Sequence, residues 1–191
     1  MNIALFLKNK LENIPEPIGF IFAKIPFMYR PGIGKLYYKR QKEIHDYYLY
    51  NKDDRQNFIF KRIYNIVDFA IHNIDFFKEH YAKNNFSIDK LKKFEDIHKI
   101  PIITKSILKQ YDIEKRSSVQ TNRYIVNTGG SSGEPLSFYI EPSSMGHEWA
   151  HMHTIWSKLD YKTYNLKLVF AGRSCPNVPI RYDGTRHHYA V

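Results

Sequence analysis

A single cysteine, Cys175, in 191 residues rules out an internal disulfide, and with no CxxC pair or Cys/His cluster around it a structural zinc site is disfavoured. That usage fits a reducing, cytoplasmic setting. Long apolar runs are missing too. The opening stretch is broken by Lys8, Lys10, Glu12, Pro15, Pro17, Lys24 and Pro26. Its apolar pieces fall well short of the roughly 20 residues that a membrane span needs, so neither a transmembrane helix nor a signal peptide is expected. Acidic residues are scarce against basic ones, 19 against 29, leaving a net charge of +10. The excess sits in the front of the chain, where residues 1–120 carry 22 Lys and Arg against 14 Asp and Glu. These charges are dispersed, with no block of five or six like charges, and read as a solvated surface rather than a nucleic-acid footprint.

What is present argues for a folded chain. Hydrophobic residues make up 43% and aromatics 16%, far from the profile of a disordered segment. The length suits one domain, or a domain and a piece of another. Prolines and glycines at 15, 17, 26, 31 and 32 divide the first 35 residues into short helical or extended pieces. Phe20, Phe22, Ile25, Phe27 and Met28 suit either packing into the fold, the favoured use, or loose attachment to a membrane surface.

A helix is predicted from Leu36 to Tyr50. The strongest period follows: Ile59, Ile63, Ile66, Ala70, Ile74, Phe77 and Tyr81 predict one continuous amphipathic helix, with His72 and His80 at its surface or boundary. Asn84 and Asn85 end it, and Leu91, Phe94 and Ile97 turn inward in the connecting segment. Ile100 to Ile103 is extended, because Pro101 pushes its predecessor out of the helical region, and Thr104 is placed to cap a short helix. Beyond residue 120 the period changes. Arg123 to Asn127 and Leu136 to Ile140 alternate as strands do. A helix from Ser143 or Ser144 carries a stripe of Met145, Trp149, Met152, Trp156 and Leu159, Leu166 to Phe170 reads as a buried strand, and Arg173 to Val191 shows no element. The expected class is α/β (α+β), with residues 1–120 mainly helical and 121–191 running strand, loop, strand, helix, strand.

Between the first two strands lies Thr128-Gly-Gly-Ser-Ser-Gly-Glu-Pro135. Three glycines permit close backbone approach, consecutive amides can converge on an anion, and Thr128, Ser131 and Ser132 add hydroxyl donors. A polyphosphate is the natural guest, against the plainer alternative of a flexible Gly/Ser hairpin loop. No Lys follows Gly133 and the next element is a strand, so this is neither a P-loop nor a dinucleotide-binding turn.

Asn127 to Tyr139 resembles the phosphate-loop signature of adenylate-forming enzymes, in the branch of phenylacetate-CoA ligases and CapK-type capsule biosynthesis proteins. Thr128 to Pro135 match it position by position. Ile74 to Tyr81, Phe94 to Ile97 and Ile100 to Lys105 are similar in order and spacing to the stretch before that family's loop. Leu136 stands where many members carry Lys, and Gly129 where Ser is frequent. The resemblance implies a helical front half packed on the beginning of that family's N-terminal domain, an incomplete fold in which the adenine-binding motif, hinge and mobile C-terminal domain are not found after Phe170. Asp183-Gly184, the nearest Asp-Gly pair, lacks a recognisable strand pattern around it. The implied chemistry is attack of a carboxylate on the α-phosphate of ATP, assisted by Mg²⁺, then passage of the acyl group to a thiol such as coenzyme A. Thr128, Ser131 and Ser132 are the implied phosphate contacts, and Gly129, Gly130 and Gly133 permit the turn. Little adenylation is expected from this stretch alone, and a non-catalytic remnant with the same fold is the alternative.

His147-Glu-Trp-Ala-His151 spells HExxH, which places two imidazoles one helical turn apart. A catalytic zinc needs a third protein ligand, yet no Glu occurs after Glu148, and only His153, Asp160, Asp183, His187 and His188 stand downstream as candidates. Two polar histidines on a helix beside the glycine loop is the preferred reading, and no metal site is assigned.

Overall fold

The computed structural model describes residues 10, 13–30, 32–119, 122–129, 135–170, 179–184 and 186–191. The chain is α+β, largely helical with two small sheets. It divides into two compact units, one made of Met1–Ile44 and Ser143–Val191, the other of His45–Pro142.

Among the described residues the α-helices are, in chain order, α1 (Glu16–Ala23), α2 (Gly34–Leu49), α3 (Lys52–Asn73), α4 (Asp75–Lys83), α5 (Lys105–Lys109) and α6 (Met145–Ser157). The strands are β1 (Tyr124–Asn127), β2 (Ser137–Ile140), β3 (Lys167–Val169), β4 (Arg181–Asp183) and β5 (His188–Ala190).

In the second unit, Asn51 caps α3 by accepting the Asp54 N–H at 2.9 Å, and Asp53 and Asp54 complement the helix dipole in the first turn. The single long helix expected from the period is in fact two. Ile74 takes extended angles (φ −136, ψ 113), ending α3 and starting α4. At the break a distant acceptor takes a helical donor: the Phe76 N–H goes to the Lys115 carbonyl at 2.9 Å instead of continuing the helical ladder. Asn85, at φ 51, closes α4 in the left-handed region that Asn tolerates, as the sequence suggests.

Val67, Tyr81, Phe86 and Leu91 form this unit's core, with Phe60, Ile63, Tyr64, Ile71 and Phe77 packed against it. Ile66, assigned to the inward stripe by period, is instead 63% exposed and Val67 is buried in its place. Phe58 to Ile71 is apolar around most of the helix, so spacing alone selects the wrong rotation. His80, read as a surface or boundary residue, is buried. Its ring stacks on Phe76 at 5.5 Å, and its Nε2 has no hydrogen-bond partner among the described residues. His72 is exposed, as expected. Nearby, the Asp96 carboxylate accepts from the Lys92 and Lys93 amides and from Lys99 Nζ. Those bonds, the Lys99 one first, hold its pKa down at about 2. Thr104 caps α5 through the Ile107 N–H.

The first unit packs α6 on α2 through Gly146, where an added Cβ would stand 2.6 Å from the Ile33 carbonyl oxygen. Phe27, Tyr37 and Ala150 form its buried apolar cluster, with Ile33, Ile44 and Trp149 packed against it. The buried face of α6 is therefore Gly146, Ala150 and His153 rather than the predicted stripe, whose last member, Leu159, lies beyond the helix and is exposed. His153 is buried among Phe27, Tyr37, Trp149, Trp156 and Tyr161, and its Nδ1 shares a 3.0 Å hydrogen bond with the Tyr37 hydroxyl.

A three-stranded sheet of order β3-β5-β4 completes this unit, β5 pairing parallel to β3 and antiparallel to β4. Two expectations are corrected here. The tail after Arg173 does contain elements, since β4 and β5 pair antiparallel with Gly184, Arg186 and His187 in turn conformation between them, and Asp183-Gly184 sits at the end of β4. Strands of three residues are too short to show alternation in sequence. Nor is β3 buried on both faces, because Leu166, Leu168 and Phe170 all face outward and are exposed.

Two measurements check these cores. Phe76, fully buried, should cost about 3–5 kcal/mol on replacement by Ala, read from urea melts. His153 is held neutral, its pKa lowered to about 4 from 6.5, first by burial and then by Lys167 and Arg30. The unfolded chain therefore binds the extra proton first. Stability should fall as pH drops from 6.5 towards 4, and His153→Gln should flatten that part of the profile.

Candidate functional site

The site begins with a hairpin. β1 and β2 pair antiparallel in the register Tyr124↔Ile140, Ile125↔Tyr139, Val126↔Phe138 and Asn127↔Ser137. Tyr, Ile, Val and Phe at these positions suit a half-covered pleated surface. Ser137 Oγ donates to Asn127 Oδ1 at 2.7 Å across the last pair.

Just above that pair, Thr128 closes the neck of the loop twice. Its N–H donates to the Leu136 carbonyl at 3.0 Å, and its Oγ1 accepts the Leu136 N–H at 3.0 Å. The hydroxyl proton is not consumed by the second bond, so Thr128 retains a donor at the loop entrance. Gly129 follows in open space, with nothing within 4 Å of where a Cβ would stand. Gly130, Ser131, Ser132, Gly133 and Glu134 lie outside the described residues. Of the six predicted site residues, the structure thus places Thr128 at the neck and Gly129 beside it.

Sequence reasoning missed the groups that anchor this hairpin from outside. Arg116 Nη1 donates to the Ser137 carbonyl at 3.1 Å while its Nε holds the Tyr111 carbonyl at 3.0 Å. Glu114 receives Tyr139 Oη at 2.6 Å and Arg123 Nη2 at 2.7 Å, and the Arg123 guanidinium lies 3.8 Å from the centre of the Tyr139 ring. Those bonds, from Tyr139 first and Arg123 second, hold the Glu114 carboxyl below its ordinary range, and the bond to Glu114 raises the Tyr139 phenol. A cavity of about 300 Å³ beside the base of β1 is lined by Asp75, Glu114, Lys115 and Arg123 among others. The only advance signal was the cluster Glu114-Lys-Arg116 shortly before a strand opening at Arg123. Tertiary pairing of these charges leaves no periodic trace.

The HExxH residues sit on α6 in the other unit. His147 Nδ1 accepts from Arg40 Nε at 2.7 Å, and Arg40 is also paired with Glu43. Burial and then Arg40 lower the His147 pKa. His151 and Glu148 are exposed, and among the described residues no group of three or more His, Cys, Asp or Glu is arranged to hold a metal ion. A cation already fixed on the ring opposes a second one there. Also among the described residues, no helix is long and apolar enough to cross a membrane.

Comparison with known proteins adds one relative. The chain is similar to Protein CapK of Staphylococcus aureus, 30% identical over 115 residues, which is 60% of this chain and 23% of that protein. The match thus spans less than a quarter of the relative's length. No family model matches, and no solved structure gives a significant match.

The neck bonds give a direct test. Thr128→Val keeps the shape but leaves the part-buried Leu136 N–H without its acceptor, and should cost about 0.5–1.5 kcal/mol. Thr128→Ser should retain most of it, as measured by denaturant melts of the two variants.

Proposed function

We propose that the β1–β2 loop grips the phosphates of ATP, and that the chain is a nucleotide-binding portion of an adenylate-forming ligase of the phenylacetate-CoA ligase and CapK type. The observation that carries this reading is a Gly/Ser loop held at a fixed neck. The Thr128–Leu136 bonds fix where residues 129–135 begin and end, and the anchors on Ser137 and Tyr139 fix the strand beyond. Backbone amides and hydroxyls held ready for an anion need little reorganisation, the arrangement that stabilises charge most effectively. The matched length of CapK supports the family; the motif supports the ligand.

The donor set fits a polyphosphate. Thr128 keeps a hydroxyl proton for a phosphate oxygen, and the open space around Gly129 admits close approach of the backbone. Ser131 and Ser132 supply two further hydroxyls by composition. Magnesium, when bound to the nucleotide, neutralises charge on the phosphate oxygens. What the chain's own residues do is bind and orient. Turnover, in which a carboxylate oxygen attacks the α-phosphorus and pyrophosphate departs, is proposed for a ligase that contains this segment. Nucleotide binding is proposed for the segment itself. On the same reading the activated carboxylate feeds capsule or surface-polysaccharide assembly from the cytoplasmic side, with coenzyme A as the thiol acceptor.

The test is thermal. ATP with Mg²⁺ at about 100-fold over its Kd should stabilise the chain by about 2.7 kcal/mol, raising the melting temperature by several degrees. The Ser131→Ala/Ser132→Ala pair should abolish that rise while melting normally without nucleotide. An equal rise in the double variant would mean that ATP binds elsewhere.

A further inference from the structure

Lys167 opens β3 with its amino group among aromatic rings. Its Nζ lies 5.2 Å from the centre of the Tyr161 ring and 5.9 Å from those of Trp149 and Trp156, and it donates to Tyr161 Oη at 2.8 Å. Trp156 and Tyr161, with Leu159, Leu168 and Val169, also wall a cavity of about 290 Å³ that Lys167 lines. Lys167 thus borders an open, apolar surface recess large enough for an aryl-sized molecule, two of whose walls, Trp156 and Tyr161, are rings that flank its Nζ.

Burial first, and then the net charge around it, ease loss of the Lys167 proton. Burial and Arg30 lower the Lys167 pKa to about 8, Arg186 adds to this, and Asp183 opposes it. Asp183 is itself bonded to Arg186 Nη1 at 2.9 Å, with His188 Nε2 at 4.0 Å. His153 on α6 and His187 in the β4–β5 turn are both held towards the neutral form, chiefly by burial and secondly by Lys167. Tyr161 keeps its proton, because burial raises its pKa.

We propose that Lys167 is a covalent modification site that captures small apolar aldehydes, aryl aldehydes in particular, as a Schiff base. The neutral Nζ lone pair adds to the carbonyl carbon, the C=O π pair moves to oxygen, and a proton passes from nitrogen to that oxygen to give a carbinolamine. Tyr161 Oη, within reach of Nζ, then protonates the carbinolamine hydroxyl. Water leaves as the nitrogen lone pair forms C=N, and the iminium proton returns to the Tyr161 oxygen. Amine and aldehyde give imine and water, with no oxidant or reductant. Desolvated lysines in apolar pockets are the ones suited to this chemistry. The site is independent of the nucleotide reading.

The test is reductive trapping. The intact chain is treated with benzaldehyde and cyanoborohydride across a pH series, and each lysine's labelling rate is read by peptide mass mapping. At pH 8 an amine with a pKa near 8 is on the order of 100-fold richer in neutral form than an ordinary lysine. Lys167 should therefore label at least ~10-fold faster than the exposed Lys52 and Lys61. Its rate should level off just above pH 8 while theirs keep rising. Tyr161→Phe should slow Lys167 alone, and formaldehyde should lose the preference that the apolar walls give benzaldehyde. Labelling of Lys167 at the same rate as Lys52 and Lys61 in the unmodified chain would overturn the proposal without recourse to any variant.

Discussion

The pair of hydrogen bonds between Thr128 and Leu136 is the constraint on which the functional account rests. A glycine and serine loop left to itself is an entropic liability, since each ordered residue costs about 1–2 kcal/mol of backbone freedom. Closing its ends through one backbone bond and one side-chain bond sets a fixed span for residues 129–135. The ladder below then extends this closure through four residue pairs. Anion binding by backbone amides requires that arrangement, because donors that must first be assembled lose much of their effect.

The anchors outside the hairpin follow the same logic. Arg116 reaches a β2 carbonyl, while Arg123, just before β1, and Tyr139 on β2 share the Glu114 carboxylate. Each ties the hairpin to the segment before it, and exposed ion pairs of this kind act more through geometry than through raw stability. In the first unit Arg40 and Arg186 are likewise paired with carboxylates, but one basic side chain is held differently. There Lys167 is held by a phenol and the faces of three rings. Paired charges make a scaffold, whereas a desolvated amine beside an apolar recess makes a reactive group.

Legibility in the sequence followed locality. The β1–β2 hairpin, the Thr104 cap, the helix end at Asn84 and Asn85 and the extended segment at Pro101 were readable, because each is set by residues within a few positions. The break at Ile74 was not, since the acceptor found there, the Lys115 carbonyl, lies far along the chain. The rotation of α3 was misjudged because apolar residues line more than one face, and packing rather than period chose Val67 over Ile66. The short strands β4 and β5 were missed for want of length, and β3 showed its exposed face only once its neighbours were placed. At the site, the loop itself was conspicuous in composition. Its anchors Glu114, Arg116, Arg123 and Tyr139 were not, because side-chain pairing across 9 to 25 positions leaves no local signature.

The central claim, that backbone amides of the β1–β2 loop close on nucleotide phosphates, is tested most directly by following those amides. In a ¹⁵N-labelled chain titrated with ATP and Mg²⁺, the account predicts saturable shifts concentrated at the amides of residues 128–134, with adenosine giving none. Shifts that bypass these amides, or none at saturating nucleotide, would contradict it.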